Sequence, residues 1–159
     1  MPVQDQDARI AEQTRLVVER HATTEGPLLP ILHEVQEEFG WLPPAALRTI
    51  AEGLNLGRAE VHGVATFYHD FRTEPAGRHR LKICRAEACQ AMGGERIAER
   101  ARAELGLDWH ETAADGSVTL EPVYCLGLCA CAPAAMVDDR LEGRLDADRF
   151  ARILAEVRT

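Results

Sequence analysis

No feature of this 159-residue chain narrows its possible folds as much as its five cysteines, all of which lie beyond residue 83. Cys84 and Cys89 form CxxxxC, Cys125 and Cys129 form CxxxC, and Cys131 stands just beyond the second pair. Each pair follows a segment with strand character, RLKIC at 80–84 and VTLEPVYC at 118–125. Strand ends are rigid, so four thiolates can converge from two loops. Gly127 lets backbone N–H groups approach sulfur closely. An odd cysteine count, with no basic and apolar leader in MPVQDQDARI, argues against a disulfide framework and for metal binding or redox chemistry in a cytoplasmic protein.

Four thiolates suit either zinc or an iron–sulfur cluster. Zinc sites favour spacers of about two to four residues, which CxxxC satisfies and CxxxxC slightly exceeds. A [2Fe–2S] cluster needs two thiolates on each of two irons, which two separate pairs supply. Thiol redox chemistry and unligated cysteines also remain open. A thioredoxin-type oxidoreductase would favour CxxC, however, and the chain has none. No histidine pair joins the cysteines, as a Rieske centre would require. Cys131 is either a competing fourth ligand or a small buried hydrophobe.

Composition fixes the setting of these pairs. At 46% hydrophobic and 28% charged, the chain can bury one core, or a compact domain with a smaller helical appendage. A formal charge of -8, with no basic stripe, disfavours nucleic acid. No stretch approaches the roughly 20 apolar residues that span a bilayer, so no membrane partner is expected.

Periodicity predicts four helices before residue 72. The first, from Asp5 to about His21, carries Ile10, Thr14, Val17 and Val18 on one face. The second carries Leu28, Ile31, Leu32, Val35 and Phe39 and stops at Gly40. The third begins at Pro43–Pro44 and carries Leu47, Ile50, Ala51 and Leu54. The fourth runs from about Arg58 to Phe71, with His62 and His69 on roughly one face, where they could line a subunit interface. Beyond a linker, the alternation in RLKIC, helical spacing from Cys89 to Leu105, a turn at Asp115–Gly116, VTLEPVYC, a hairpin over 134–145 and a helix capped by Asp146 read as β-α-β-β-β-α. This is an α+β fold, with a helical bundle region and linker over 1–77 and the cysteine domain over 78–159. Trp41, Tyr68 and Tyr124 are read as packing residues. Gly93–Gly94 lacks the GxGxxG context, so no NAD or flavin site is expected within the chain.

CRAEACQAMGG at 84–94 and VTLEPVYCLGLCACAPAAMV at 118–137 resemble the thioredoxin-like [2Fe–2S] subunit family, which includes the 24-kilodalton subunit of NADH dehydrogenase. LLPILHEVQEEFGWLP at 28–43 and AEVHGVATFYHDFR at 59–72 resemble its N-terminal helical region. The resemblance implies a thioredoxin-like [2Fe–2S] ferredoxin domain, one cluster held by Cys84, Cys89, Cys125 and Cys129, and no ligand role for Cys131. The family's subunits relay or store single electrons beside a flavin- and NAD-binding partner. YHDF, CRAEACQ and CLGLCACAP most resemble the gamma-type subunit of soluble NAD-dependent formate dehydrogenases. That likeness implies FMN, NAD and a molybdenum cofactor on partner subunits, the molybdenum one being catalytic. Loop N–H groups around Arg85–Ala88 and Leu126–Leu128, with Arg85 as the nearest cation in sequence, are expected to tune the cluster.

Overall fold

The computed structural model describes residues 3–159. They divide into two units, the first ending at Pro75 and the second running from Ala76 to Thr159, and form seven α-helices, a 3-10 turn and four strands.

The first unit contains α1 (Val3–Arg20), α2 (Leu28–Phe39), α3 (Pro44–Gly53) and α4 (Arg58–Phe67). Their apolar stripes meet in one core, with Ile31, Leu32, Val35, Ile50 and Val61 fully buried. Thr14 and Val17 of α1 are also buried, as their spacing predicts. α2 stops where Gly40 adopts a left-handed conformation and donates its N–H to the Gln36 carbonyl. α3 starts with Pro44, whose missing N–H costs nothing in a first turn. At the start of α4, the Glu60 carboxylate accepts the Gly57 N–H at 2.8 Å.

α4 is shorter than its periodicity predicts. It ends at Phe67, and Tyr68 is extended, so His69 lies off the helix and does not share a face with His62. Tertiary hydrogen bonds take over there. The Gln36 side chain donates to the Asp70 carbonyl and accepts the Arg72 N–H, both at 2.7 Å, while the Leu42 N–H donates to the Arg72 carbonyl. Phe71 is still buried, with its ring 4.8 Å from that of His33.

The second unit is a four-stranded sheet of order β2-β1-β3-β4. β1 (His79–Cys84) pairs in parallel with β2 (Val118–Val123). β3 (Ala135–Val137) pairs antiparallel with both β1 and β4 (Arg140–Glu142). Parallel neighbours need a crossover, supplied here by α5 (Glu87–Ala91) and α6 (Gly94–Leu105). Leu81, Ile83 and Leu120 of the sheet join Ile97 and Ala101 of α6 and Phe150, Ile153 and Leu154 of α7 (Ala147–Glu156) in one core. The Asp146 carboxylate caps α7 by accepting the Arg149 N–H at 2.7 Å.

Both sheet edges are occupied. Segment 110–113 exchanges backbone hydrogen bonds with Val118 and Leu120 of β2. On β4, Arg140 pairs with Glu142 and Glu156, and Arg149 with Glu142. Charged side chains of this kind keep an edge from recruiting another strand. Among the described residues, no helix is long and apolar enough to cross a membrane.

The helix expected from Cys89 to Leu105 is two helices, broken at Met92–Gly93–Gly94. Gly93 takes φ +88°, and a Cβ on Gly94 would stand 2.6 Å from the Cys89 carbonyl oxygen. The glycine pair therefore lets α6 begin directly against α5. Tyr124 also departs from expectation: β2 ends at Val123, and the residue is 74% exposed instead of packed. Tyr68 is exposed as well.

Gly94→Ala forces that backbone contact apart and is expected to cost on the order of 2 kcal/mol in chemical denaturation. Phe150→Ala, which empties a fully buried site, is expected to cost about 3–5 kcal/mol in the same measurement.

Candidate metal centre

The cysteines are gathered by the parallel pair. Cys84 is the last residue of β1 and lies in register with Val123, the last of β2, so the loops leaving the two strands start side by side. Two backbone hydrogen bonds fix the exit from β1: the Cys84 N–H donates to the Ala134 carbonyl at 3.0 Å, and the Arg85 N–H to the Val123 carbonyl at 2.8 Å. Cys89 follows on α5. Cys125 lies two residues past β2, and Cys129 opens the 3-10 turn Cys129–Cys131.

The four sulfurs form two pairs of contrasting exposure. Cys84 and Cys89 are buried, and their side chains are hydrogen-bonded to one another. Cys125 and Cys129 are exposed, with Sγ atoms 3.7 Å apart. Electrostatics ties the pairs together. Burial first, then the hydrogen bond with Cys84, pushes the Cys89 thiol up to about 11, with further repulsion from Cys84 and Cys129 and partial relief from a backbone hydrogen bond at Ala134. Cys129 is raised first by its hydrogen bond with Cys125, then by the charges of Cys125 and Cys84. Thiols that resist ionisation through burial and one another's presence form a site that a cation relieves.

Local backbone holds the exposed pair in place. Cys125 has φ +139°, a conformation that L-residues rarely adopt and that costs about 1–3 kcal/mol. Gly127, at φ +76°, places its N–H 3.3 Å from the Cys125 Sγ. This is one of the loop donors expected from the sequence. The expected donor at Arg85 is instead committed to Val123. The Arg85 guanidinium pairs with Glu95 at 2.7 Å and lies over the Trp109 ring at 5.3 Å.

Cys131 is half-buried and takes part in neither set of sulfur interactions. Its N–H donates to the Leu128 carbonyl, its carbonyl accepts the Arg144 N–H, and a Cβ on Gly143 would stand 3.0 Å from its Cβ. Gly94, Ala134 and Gly143 thus support the site without carrying its chemistry. Only the Gly93–Gly94 doublet gave any sequence signal, and it does not reveal what the glycines approach. Two of the histidines are engaged elsewhere: His21 with Glu34 at 2.7 Å, and His79 with Asp138 at 3.0 Å.

Among the described residues, no group of three or more Cys, His, Asp or Glu side chains is already arranged to hold a metal ion. The donor set fits a two-iron cluster, because soft thiolates arrive two by two and a backbone N–H already points at one sulfur.

Comparisons with known proteins agree with this donor chemistry. The family model for the thioredoxin-like [2Fe-2S] ferredoxin matches residues 14–158. An E-type subunit of NADH-quinone oxidoreductase from Pseudomonas aeruginosa is 40% identical over 120 residues, covering 76% of this chain and 72% of that one. Its counterpart from Mycobacterium bovis is 39% identical, covering 82% of this chain but only 52% of that one. An NADP-reducing hydrogenase subunit from Solidesulfovibrio fructosivorans is 31% identical, covering 83% and 77%. Among solved structures, a chain of an NAD+-reducing [NiFe]-hydrogenase superposes with a TM-score of 0.72 at 26% identity, over 83% of this chain and 23% of that one. With a family model spanning both units, and paired thiols where two parallel strands end, this chain belongs to the thioredoxin-like [2Fe–2S] ferredoxin family.

Proposed function

We propose that the chain is a non-catalytic electron-transfer subunit holding one [2Fe–2S] cluster through Cys84, Cys89, Cys125 and Cys129. The observation that carries this reading is that two thiol-bearing loops start from adjacent strand ends in a chain of this family. The bound cluster supplies one-electron redox capacity. The chain's own residues set its surroundings. Buried Cys84 and Cys89 exclude water from one side, whereas exposed Cys125 and Cys129 leave the other side open to a redox partner. Cys89 gives up its proton on becoming a ligand, and the Gly127 N–H disperses charge on the Cys125 sulfur.

The cysteine domain, 78–159, carries the electron, and the helical region, 1–77, docks to a flavin- and NAD-binding subunit in direct contact. Exposed Phe67, Tyr68, Leu56 and Leu29 give the helical region apolar surface for this role. At the finer level, YHDF, CRAEACQ and CLGLCACAP support a cytoplasmic NAD-dependent formate dehydrogenase complex, with FMN and NAD on one partner and a molybdenum cofactor on the catalytic subunit. The second reading is the equivalent component of an NADH:quinone oxidoreductase or an NAD-reducing hydrogenase, which the names of the relatives favour. Co-purification of the native complex with metal, flavin and activity analysis separates them. Molybdenum with formate-dependent NAD reduction selects the first reading; nickel, or a quinone-reactive membrane complex, selects the second.

Anaerobically purified chain is expected to hold about two irons and two acid-labile sulfides; stoichiometric zinc without sulfide would sink the ligand assignment. Serine at Cys84, Cys89, Cys125 or Cys129 should strip or weaken the cluster, because its oxygen is a harder and poorer partner for iron. Cys131→Ser should keep full iron, and a loss as deep as that of Cys129→Ser would show the loop binding in another register. Purified alone, the chain should oxidise neither formate nor NADH with artificial acceptors.

A pH dependence follows from Cys89. Its folded-state value, about 11, lies above the ordinary 9.0, so its contribution is full below about pH 9 and is lost as pH rises through 11. Denaturation midpoints of the cluster-free chain should fall across that window, and Cys89→Ala should flatten the fall.

A further inference from the structure

We infer that Cys125 and Cys129 form a reversible thiol–disulfide site in the cluster-free chain, an inference that rests on the ligand reading above. Both residues are exposed and their sulfurs lie 3.7 Å apart, so each is open to a dissolved oxidant and has a sulfur partner within a side-chain rotation. A bonded pair stands about 2.05 Å apart. The other three thiols are placed differently. Cys84 and Cys89 are 3% and 2% exposed, which denies a bulky oxidant the approach that exchange requires. Cys131 is half-buried and held through both backbone groups, its N–H at 2.8 Å from the Leu128 carbonyl and its carbonyl at 2.5 Å from the Arg144 nitrogen. Gly143 packs against its Cβ. The same four ligands therefore divide into two that meet solvent chemistry and two that do not.

The oxidant is a small-molecule disulfide, of which oxidised glutathione is the cytosolic type. One exposed thiolate attacks a sulfur of that disulfide, whose S–S bond breaks, giving a mixed disulfide and one free glutathione thiolate. The second protein thiolate then attacks the protein-bound sulfur of the mixed disulfide. The Cys125–Cys129 S–S bond forms, and the second glutathione thiolate leaves. The two protons shed by the cysteines go to the two departing thiolates. The protein loses two electrons, and one disulfide becomes two thiols.

The closed form keeps only two of the four proposed ligands and does not accept a cluster. A dithiol reductant reopens it. Loading thereby depends on the thiol poise of the compartment, and the exposed sulfurs are diverted from irreversible oxidation.

The test uses the full-length chain, cluster-free and fully reduced, incubated with oxidised glutathione. Thiols are counted, peptides mapped by mass, and iron uptake measured on adding ferrous iron and sulfide. Five free thiols are expected to fall to about three, with the bond mapped to Cys125–Cys129. Iron uptake should drop at least about tenfold and recover after dithiothreitol. Cys131→Ser should again lose two thiols, whereas Cys129→Ser should retain glutathione on Cys125. Five surviving thiols, or a bond mapped to Cys131 or between Cys84 and Cys89, overturn the inference. A fully reduced chain that takes up no iron and sulfide overturns the ligand reading instead, and the thiol map is scored independently of it.

Discussion

Parallel pairing of β1 with β2 is what makes the cysteine unit possible. It sets Cys84 opposite Val123, so the loops that leave the two strands begin side by side and each carries a thiol pair, although Cys84 and Cys125 stand 41 positions apart in the chain. A parallel pair cannot be closed by a tight turn. The crossover through α5 and α6 is thus imposed by the site's own geometry, and α6 then supplies Ile97 and Ala101 to the core that supports the sheet.

Ionising these thiols together is unfavourable without a cation. Burial and mutual repulsion raise Cys89, its neighbours raise Cys129, and Cys125 occupies a backbone conformation that L-residues avoid. The compensation is distributed: backbone hydrogen bonds at Ala134 and Val123, the Gly127 N–H on sulfur, and the close approach allowed by Gly94. The contrast between a buried and an exposed pair gives the site two faces with different chemistry. Cys125 and Cys129 meet solvent, whereas Cys84 and Cys89 do not.

The helical unit follows a different physical logic. Its core is made by amphipathic stripes, while Phe67 and Tyr68 remain exposed where α4 ends. A groove of about 410 Å³ there is lined by Pro27, Leu28, Leu54, Leu56, Val64 and Tyr68. Apolar surface of this kind, beside polar neighbours, is typical of an interaction face.

Much of this was legible without coordinates, and for identifiable reasons. Helical stripes such as Ile31, Leu32 and Val35, the stop at Gly40 and the Asp146 cap are local signals, because periodicity and capping act within a few residues. The cysteine spacing and its neighbouring strands narrowed the chemistry to metal binding or thiol redox, and the resemblance of the flanking residues to the family pointed to iron and sulfur. The features that stayed hidden depended on partners distant in the chain or on what a small residue approaches. Gln36 captures Asp70 and Arg72 and ends α4 early; Gly94 meets the Cys89 carbonyl and splits a helix; Arg85 turns to Glu95 and Trp109. The order of residues dictated which side chains were available for a thiolate site and which elements would carry them. That one pair is buried and the other exposed was settled by folding in three dimensions, because burial is a property of what packs over a residue and not of the residue itself.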